Sequence, residues 1–321
     1  MIDMSKTLVI GRADASGLGR MTIEFCRHMQ PGRVAVLNYQ GRGPTDPALI
    51  PGSRLVSPPS MANHHLLAEL MAGMATVVGF ETFYNPAVLA RARVDGLRTI
   101  LFPMWECSPP WSEEADELIC VSRRDMQAYP RGRLMRWPID PVRFTSEGFP
   151  VQPTFLHNAG SHGYYGRNGT EFVLRAMGQC ADLNACRFRV RSLEAIPPNW
   201  ERPSHVAIES GDVPLERLYA GSVFVFPMRF EGLSLPISEA AAVGMPTIVL
   251  DLPEWEDWPQ ELRVRVSGTV EHAIGVRRVT YANPDVDHLA SIMRGIAEHR
   301  IEARRPPCPP SWKEFKMEFC Q

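Results

Sequence analysis

In the stretch RFEGLSLPISEAAAVGMP (229–246), Glu231 and Glu239 stand on either side of a Gly-Leu-Ser-Leu-Pro turn. The preceding VFVFPM reads as a buried strand, and PISEAAAVG as a helix with Pro236 in its first turn and Gly244 at its end. The turn, made of Gly232, Leu233, Ser234 and Leu235, then lies at the carboxyl end of a strand and the amino end of a helix. Open α/β sheets bind ligands at that edge. Backbone N–H groups there favour an anion such as a diphosphate. Glu239, about one turn into the helix, can reach a diol such as a ribose, while Glu231 can hold sugar hydroxyls. Acidic residues near a helix start also complement the helix dipole, with no ligand involved.

The rest of the chain supplies a scaffold for such an edge. Short β-rich runs alternate with amphipathic ones: TLVIG and LGRMTIEFCRHM, RVAVLNY, TVVGFE and PAVLARARV, RTILFPM, ELICVS and RRDMQAY. A second series follows residue 152: TFLHN and GTEFVLRAMGQ, RFRVRS, HVAIES, LERLYAG, VFVFPM, PISEAAAVG, TIVLD and VDHLASIMRGIAEHR. Alternation of this kind predicts parallel sheets covered by helices. Length agrees, since 321 residues exceed what one hydrophobic core organises. Prolines at 138, 141, 150 and 153 mark a connecting segment, so two α/β domains join near residue 150.

Composition narrows the function classes. Lys+Arg 34 against Asp+Glu 36 gives a net charge of −2. Neither half has the basic excess of a nucleic-acid footprint, although Arg123, Arg124, Arg131, Arg133 and Arg136 cluster. Lysines are confined to Lys6, Lys313 and Lys316, so a phosphate site must draw on arginine, the better bidentate partner. The seven cysteines show no Cys-x-x-Cys spacing. No apolar run reaches the ~20 residues that span a bilayer. The start lacks the basic flank and long apolar stretch of a signal peptide. The expectation is a cytoplasmic protein without stable membrane insertion, monomeric or homodimeric, in the host cytoplasm if the source is viral.

The residues 227–246 resemble the signature of the large retaining family of GT-B glycosyltransferases, in which two Glu are separated by seven residues. Pro227, Glu231, Gly232, Leu235, Pro236, Glu239, Ala240, Gly244 and Pro246 all match. Other segments resemble the family in the same order: ADELICVSRRD, WPIDPVRF with Pro138 at the usual Gly, HNAGSHGYYGRNGTEFVLRAM and ESGDVPLERLYAG. The resemblance implies two Rossmann-like domains facing each other across a cleft. Residues 1–150 would form the acceptor-side domain, 151–305 the nucleotide-sugar-binding domain, and 306–321 a tail packing back on the first. It implies transfer of a sugar from a nucleoside diphosphate sugar, UDP-linked, to a hydroxyl acceptor with retention of configuration. The diphosphate sugar is a co-substrate, and no cofactor or metal is implied.

Residue by residue, the resemblance assigns Arg167 to the donor diphosphate. Asn168 stands where the family has a second basic residue; it can donate hydrogen bonds but supplies no charge. Asp212 and Val213 would lie beside the nucleotide base. His157 and His162 flank the same loop and could bond phosphate. In the first domain, Gly17 and Gly19 follow the opening strand and would allow close approach of a phosphate or sugar, or simply form a tight turn. Glu81, His64, His65 and the PMWECS strand end, with Trp105, Glu106 and Ser108, are further polar candidates, and Glu106 is the preferred acceptor-side carboxylate. The acceptor is open between a glycan or small molecule and hydroxymethylated pyrimidines of bacteriophage DNA. A non-catalytic nucleotide- or DNA-binding module on the same fold is the alternative of another class.

Overall fold

The structure, a computed structural model, describes residues 1–14, 16–38, 44–146, 148, 152–211, 213–230, 232–274 and 277–321. The chain divides into two compact units, Met1–Pro138 with Arg277 and Pro310–Gln321, and Ile139–Ile274 with Arg278–Pro309. The division falls ahead of the boundary near 150 read from the prolines, because Ile139, Phe144 and their neighbours group with the second unit.

In the first unit, β1 (Thr7–Gly11), β2 (Arg33–Leu37), β3 (Arg54–Val56), β4 (Thr76–Glu81), β5 (Arg98–Pro103), β6 (Glu117–Cys120) and β7 (Arg133–Leu134) make one sheet in the order β3-β2-β1-β4-β5-β6-β7. Every pairing in it is parallel. β1 is buried along its whole length, as expected of a strand covered on both faces. Helices α1 (Gly17–Met29), α2 (His64–Met71), α3 (Ala87–Asp95) and α4 (Arg123–Ala128) supply the cover. α1 buries Met21, Phe25 and Met29, a four-residue repeat on one face, and Ser16 caps it by accepting from the Gly19 N–H.

The second unit repeats the plan. β8 (Thr154–Gly160), β9 (Arg187–Ser192), β10 (Val206–Ser210), β11 (Val223–Val225), β12 (Thr247–Leu250) and β13 (Arg263–Val264) form a parallel sheet in the order β10-β9-β8-β11-β12-β13. A separate two-stranded sheet of β14 (Val266–Ile274) and β15 (Arg277–Pro284) follows. Helices α5 (Thr170–Gly178), α6 (Leu235–Ala242) and α7 (Val286–Ala297) complete the unit, with Val173, Leu174 and Met177 of α5 and Leu289 and Met293 of α7 meeting the sheet's apolar residues. The β14–β15 pair escapes a reading by apolar runs, because β14 is exposed along most of its length. LERLYAG yields only a 3-10 turn, Leu215–Arg217, between Pro214 and Gly221.

The last helix, α8 (Trp312–Phe319), belongs to the first unit. Ser311 and Glu314 close a capping box at its start. Phe319 packs edge-on against Phe25 at 5.4 Å and stacks on Phe102 at 6.0 Å, and Phe315 meets Trp137 at 5.6 Å. The Ile2 N–H donates to the Cys320 carbonyl at 2.9 Å, so both chain ends are tied to this core. Among the described residues, no helix is long and apolar enough to cross a membrane. Phe319→Ala is expected to lower the unfolding free energy by ~3–5 kcal/mol, the cost of emptying a buried aromatic site. Urea denaturation followed by tryptophan fluorescence checks this, and a loss under ~1 kcal/mol would show that α8 is not part of the core.

Candidate functional site

The loop between β8 and α5 departs furthest from ordinary backbone. Gly160, His162, Gly163, Tyr165, Gly166 and Gly169 all have left-handed φ, between 51° and 75°. For His162 and Tyr165 this conformation carries a steric penalty of ~1–2 kcal/mol. The loop is held by specific contacts. The Asn168 amide donates to the Ala159 carbonyl at 2.8 Å, and the Asn168 N–H donates to the His162 carbonyl at 3.2 Å. Gly169 is required, since a Cβ there would stand 2.6 Å from the Pro227 carbonyl oxygen, at a φ of 75°. Asn168 is therefore a loop-closing residue, not a bystander in place of a second cation.

Arg229, which the sequence analysis passed over, joins this loop to the end of β11. Its N–H donates to the Arg167 carbonyl at 2.9 Å, and its guanidinium donates to the Tyr165 carbonyl at 2.9 Å and to Asn283 Oδ1 at 2.5 Å. The guanidinium also lies 5.0 Å from the Tyr281 ring and 5.3 Å from that of Phe172. Burial pulls its pKa down, while Tyr281 and Glu171 act in the opposite direction. Arg167 itself is half-buried and sits over the Phe230 ring at 5.1 Å. The sequence clue was a lone arginine at the end of the apolar run VFVFPM. Tyr165 stacks on His272 of β14 at 4.3 Å, and His272 meets Tyr281 of β15 at 4.6 Å. The β14–β15 pair thereby buttresses the same loop.

Beyond Phe230 the chain enters α6. Glu231 and Asp212 lie outside the described residues. Gly232 and Ser234 are buried, Leu233 is half-buried, and Ser234 takes a φ of 38° just ahead of the helix. The helical ladder begins with the Ser238 N–H to the Ser234 carbonyl at 3.1 Å, so the N–H groups of Leu235 and Ile237 precede it. Glu239 is 3% exposed and accepts a hydrogen bond from the Tyr219 hydroxyl. Val213 is half-buried next to Asp212, downstream of the Gly211 N–H bonded to Ser192. The structure thus brings Arg167, Asn168 and the strand end leading to Glu231 together, although some sixty residues of sequence separate them.

Two expectations are corrected. His157 is fully buried, with Nδ1 bonded to the Val225 carbonyl at 2.7 Å and Nε2 to the Thr170 hydroxyl at 2.8 Å. It anchors the start of α5 and cannot turn to a phosphate. Gly19 is packed on its own chain: a Cβ there would fall 2.2 Å from the Asp14 carbonyl oxygen, so the glycine makes room for backbone, not for a ligand. The Asp14 carboxylate already accepts from the Ser16 N–H at the amino end of α1, where a phosphate would sit, and pairs with Arg12 at 2.6 Å. Gly17 is exposed at the first position of α1. His162 is buried, 3.3 Å from the Ser192 hydroxyl and edge-on to Trp200.

In the first unit, Glu106 is 7% exposed in the turn after β5. The neighbouring Trp105 N–H donates to Asp125 of α4 at 3.0 Å, and the Ser108 hydroxyl donates to the Glu81 carbonyl at 2.6 Å. Burial raises Asp125 to about 7, bonds from Ser122 and Trp105 lower it, and the charge of Glu106 adds to the rise. His64 and His65 open α2 and are exposed. The arginine cluster is largely spent on its own chain. Arg131 donates to the Glu113 and Ala115 carbonyls, Arg133 pairs with Glu117 at 2.7 Å, and Arg124 lies over Trp105 at 4.5 Å. No group of three or more potential metal ligands occurs among the described residues.

Two parallel sheets in the same strand order define a pair of Rossmann-like domains, and the chain has the GT-B fold. No family model and no curated protein matches it. Solved structures do. Sucrose-phosphate synthase from Thermosynechococcus elongatus has a TM-score of 0.61 at 12% identity, covering 98% of this chain and 96% of that one. HepE of Anabaena, solved in complex with UDP and glucose, has a TM-score of 0.64 at 10% identity, covering 98% and 95%. A protein assigned as a UDP-N-acetylglucosamine 2-epimerase of Listeria monocytogenes has a TM-score of 0.57 at 9% identity, covering 95% and 93%. At these identities the likeness speaks for the fold, and the reaction has to be argued from the site.

Two of the shifted groups, His157 and Asp125, give stability opposite pH dependences. Burial lowers His157 from 6.5 to about 4, so its contribution is present above 6.5 and is lost as pH falls through about 4. Asp125 is raised from 3.8 to about 7, so its contribution is present below 3.8 and is lost as pH rises through about 7. Each slope is about 1.4 kcal/mol per pH unit inside its window. Urea titrations between pH 4 and 7 should show His157→Gln flattening the loss on acidification and Asp125→Asn flattening the loss on alkalinisation. Parallel profiles for both variants and the parent would refute the assignment.

Proposed function

We propose that this protein is a glycosyltransferase that moves a sugar from a UDP-linked donor to a hydroxyl acceptor with retention of configuration. The observation that carries this reading is the junction of the β8–α5 loop with the end of β11. Arg229 and Gly169 lock Arg167 beside the strand end that leads into the Glu231–Glu239 turn. A cation, a run of left-handed backbone and the first N–H groups of α6 then serve one anionic group, the donor diphosphate.

In the reaction, the bond from the anomeric carbon to the diphosphate oxygen breaks, and its electron pair leaves with the diphosphate. The acceptor oxygen bonds to that carbon from the same face, and its proton passes to the departing phosphate oxygen. Arg167 and the α6 N–H groups take up the developing negative charge, which is where electrostatic stabilisation has most effect. Glu231 orients the sugar hydroxyls, Glu239 the ribose, and Asp212 with Val213 the base. Glu106 is the acceptor-side carboxylate. The charge on the diphosphate is assigned to these groups and not to a metal. A glycan or small-molecule acceptor is favoured over DNA because Arg131 and Arg133 are engaged by carbonyls and carboxylates of their own chain.

The test is incubation with UDP-sugars and a panel of hydroxyl acceptors, with released UDP and the anomeric configuration of the product measured. Glu231→Gln should remove most transfer while leaving UDP affinity nearly intact. Arg167→Ala should weaken UDP binding by ~1.5–3 kcal/mol, the scale of a charge-assisted hydrogen bond. Asn168→Lys should also weaken it, through loss of the bond to Ala159. Epimerised donor without transfer, or full turnover by Glu231→Gln, would overturn the reading.

A further inference from the structure

Tyr219 is fully buried, and its hydroxyl donates a hydrogen bond to Glu239. Its ring is gripped edge-on by Phe144 at 5.3 Å and Phe224 at 5.4 Å. Those contacts fix the ring's sides but not its height above the sheet. That height is set by the backbone of residues 217–220, a stretch that belongs to no strand and has only a 3-10 turn before it. Its own bonds, Leu218 N–H to the Leu215 carbonyl at 3.1 Å and Ala220 N–H to the Arg217 carbonyl at 3.0 Å, are those of a short turn. Such a turn is marginal without outside support.

That support comes from the sheet. Arg191 Nη1 donates to the Leu218 carbonyl at 2.8 Å and also to the Arg217 carbonyl. The Asn158 amide donates to the same Leu218 carbonyl at 3.0 Å, and Arg189 Nη1 donates to the Ala220 carbonyl at 2.8 Å. Asn158 on β8 and Arg191 on β9 are direct partners in the sheet register, so the two donors rise from adjacent positions on a rigid surface. The guanidinium is in turn fixed by Glu209 on β10, with Arg191 Nε 2.8 Å from Oε2. Burial works against the Glu209 charge, but the Arg191 bond and the charges of Arg191, Arg189 and Arg217 hold its carboxyl below the ordinary value.

An arginine that is only 3% exposed is costly to keep, and an apolar side chain of similar size would fill the space at less desolvation. Arg191 also retains a buried Nη2, and Asn158 a buried Oδ1, that find no hydrogen-bond partner among the described residues. Neither side chain is placed to saturate its own bonds. Apart from the Arg191 bond to Glu209, the bonds they make converge on the two carbonyls just before Tyr219.

We infer that Arg191 and Asn158 are positioning residues for the ribose-binding carboxylate: they fix the Arg217 and Leu218 carbonyls, which sets Tyr219, whose hydroxyl orients Glu239. This rests on the assignment of Glu239 to the donor ribose. Arginine is needed at 191 because its planar fork reaches two carbonyls and Glu209 together, which a lysine ammonium cannot do in one geometry.

The test reads ribose recognition apart from overall affinity. Calorimetry with UDP and 2′-deoxy-UDP gives a discrimination ratio for the parent protein, expected at ~10-fold or more for a hydrogen bond to a charged group. Tyr219→Phe, which removes one hydroxyl and leaves the ring packed, should bring the ratio to within ~2-fold of unity. Arg191→Lys, which keeps the charge opposite Glu209, and Asn158→Leu should each reduce it ~3- to 10-fold. Affinity for inorganic pyrophosphate should stay unchanged in all three, because the β8–α5 loop is untouched. If the variants weaken UDP and 2′-deoxy-UDP alike and the ratio stands, the residues are merely structural and the inference falls. If the parent shows no discrimination, or Glu239→Gln leaves its ratio intact, the assignment of Glu239 to the ribose fails instead.

Discussion

The guanidinium of Arg229 is buried among aromatic rings, and three separate pieces of chain are arranged around it. It takes the Tyr165 carbonyl from the loop after β8, the Asn283 side chain from β15, and ring faces from α5 and β15, while its own N–H holds the Arg167 carbonyl. A buried cation must find acceptors or pull its surroundings into place until it does. Here the acceptor it pulls in is the carbonyl of a residue whose left-handed conformation would otherwise relax. The strain in the loop and the burial of the arginine are therefore one arrangement, in which each offsets the cost of the other.

The same economy recurs around Glu239. A carboxylate at 3% exposure is kept in place by a tyrosine hydroxyl, the tyrosine by two phenylalanine edges, and the turn beneath it by arginines that are themselves paired with Glu209. The polar groups in this region sit on strands β8, β9 and β10, whose register is fixed by the parallel ladder. Positioning of this kind puts precision on rigid elements and leaves the loops to present backbone N–H groups.

The first unit shows a contrasting use of the strand edge. Its opening turn is glycine-containing yet is filled by Asp14, which accepts from the Ser16 N–H and takes the place of an anionic ligand. The polar residues that converge in that unit instead do so at the ends of β4, β5 and β6, where Glu81, Ser108, Glu106 and Asp125 meet. Two sheets with one strand order thus have different edges, because the side chains that fill the first turn differ.

The repeating strand and helix runs were legible in the sequence because strands buried on both faces must be continuously apolar, and helices over them must be apolar on one side. The motif from Pro227 to Pro246 was legible for a local reason as well: Pro236 and Gly244 punctuate a helix wherever they occur. What local reading could not supply were the contacts between distant segments. Arg229, Tyr219 and Arg191 look like ordinary members of apolar or mixed runs, and their importance arises from acceptors up to sixty-four residues away. The phosphate reading of His157 and the ligand reading of Gly19 fail for the mirror-image reason, since a histidine within a strand or a glycine in the first turn of a helix looks available until the neighbouring chain is seen to occupy it. The sequence by itself determined the periodicity, the helix ends and the motif, all of which depend on neighbours within a few residues. Only the tertiary structure decided which polar atoms are already satisfied by the protein, because hydrogen-bond partners here are set by the packing of one strand end against another.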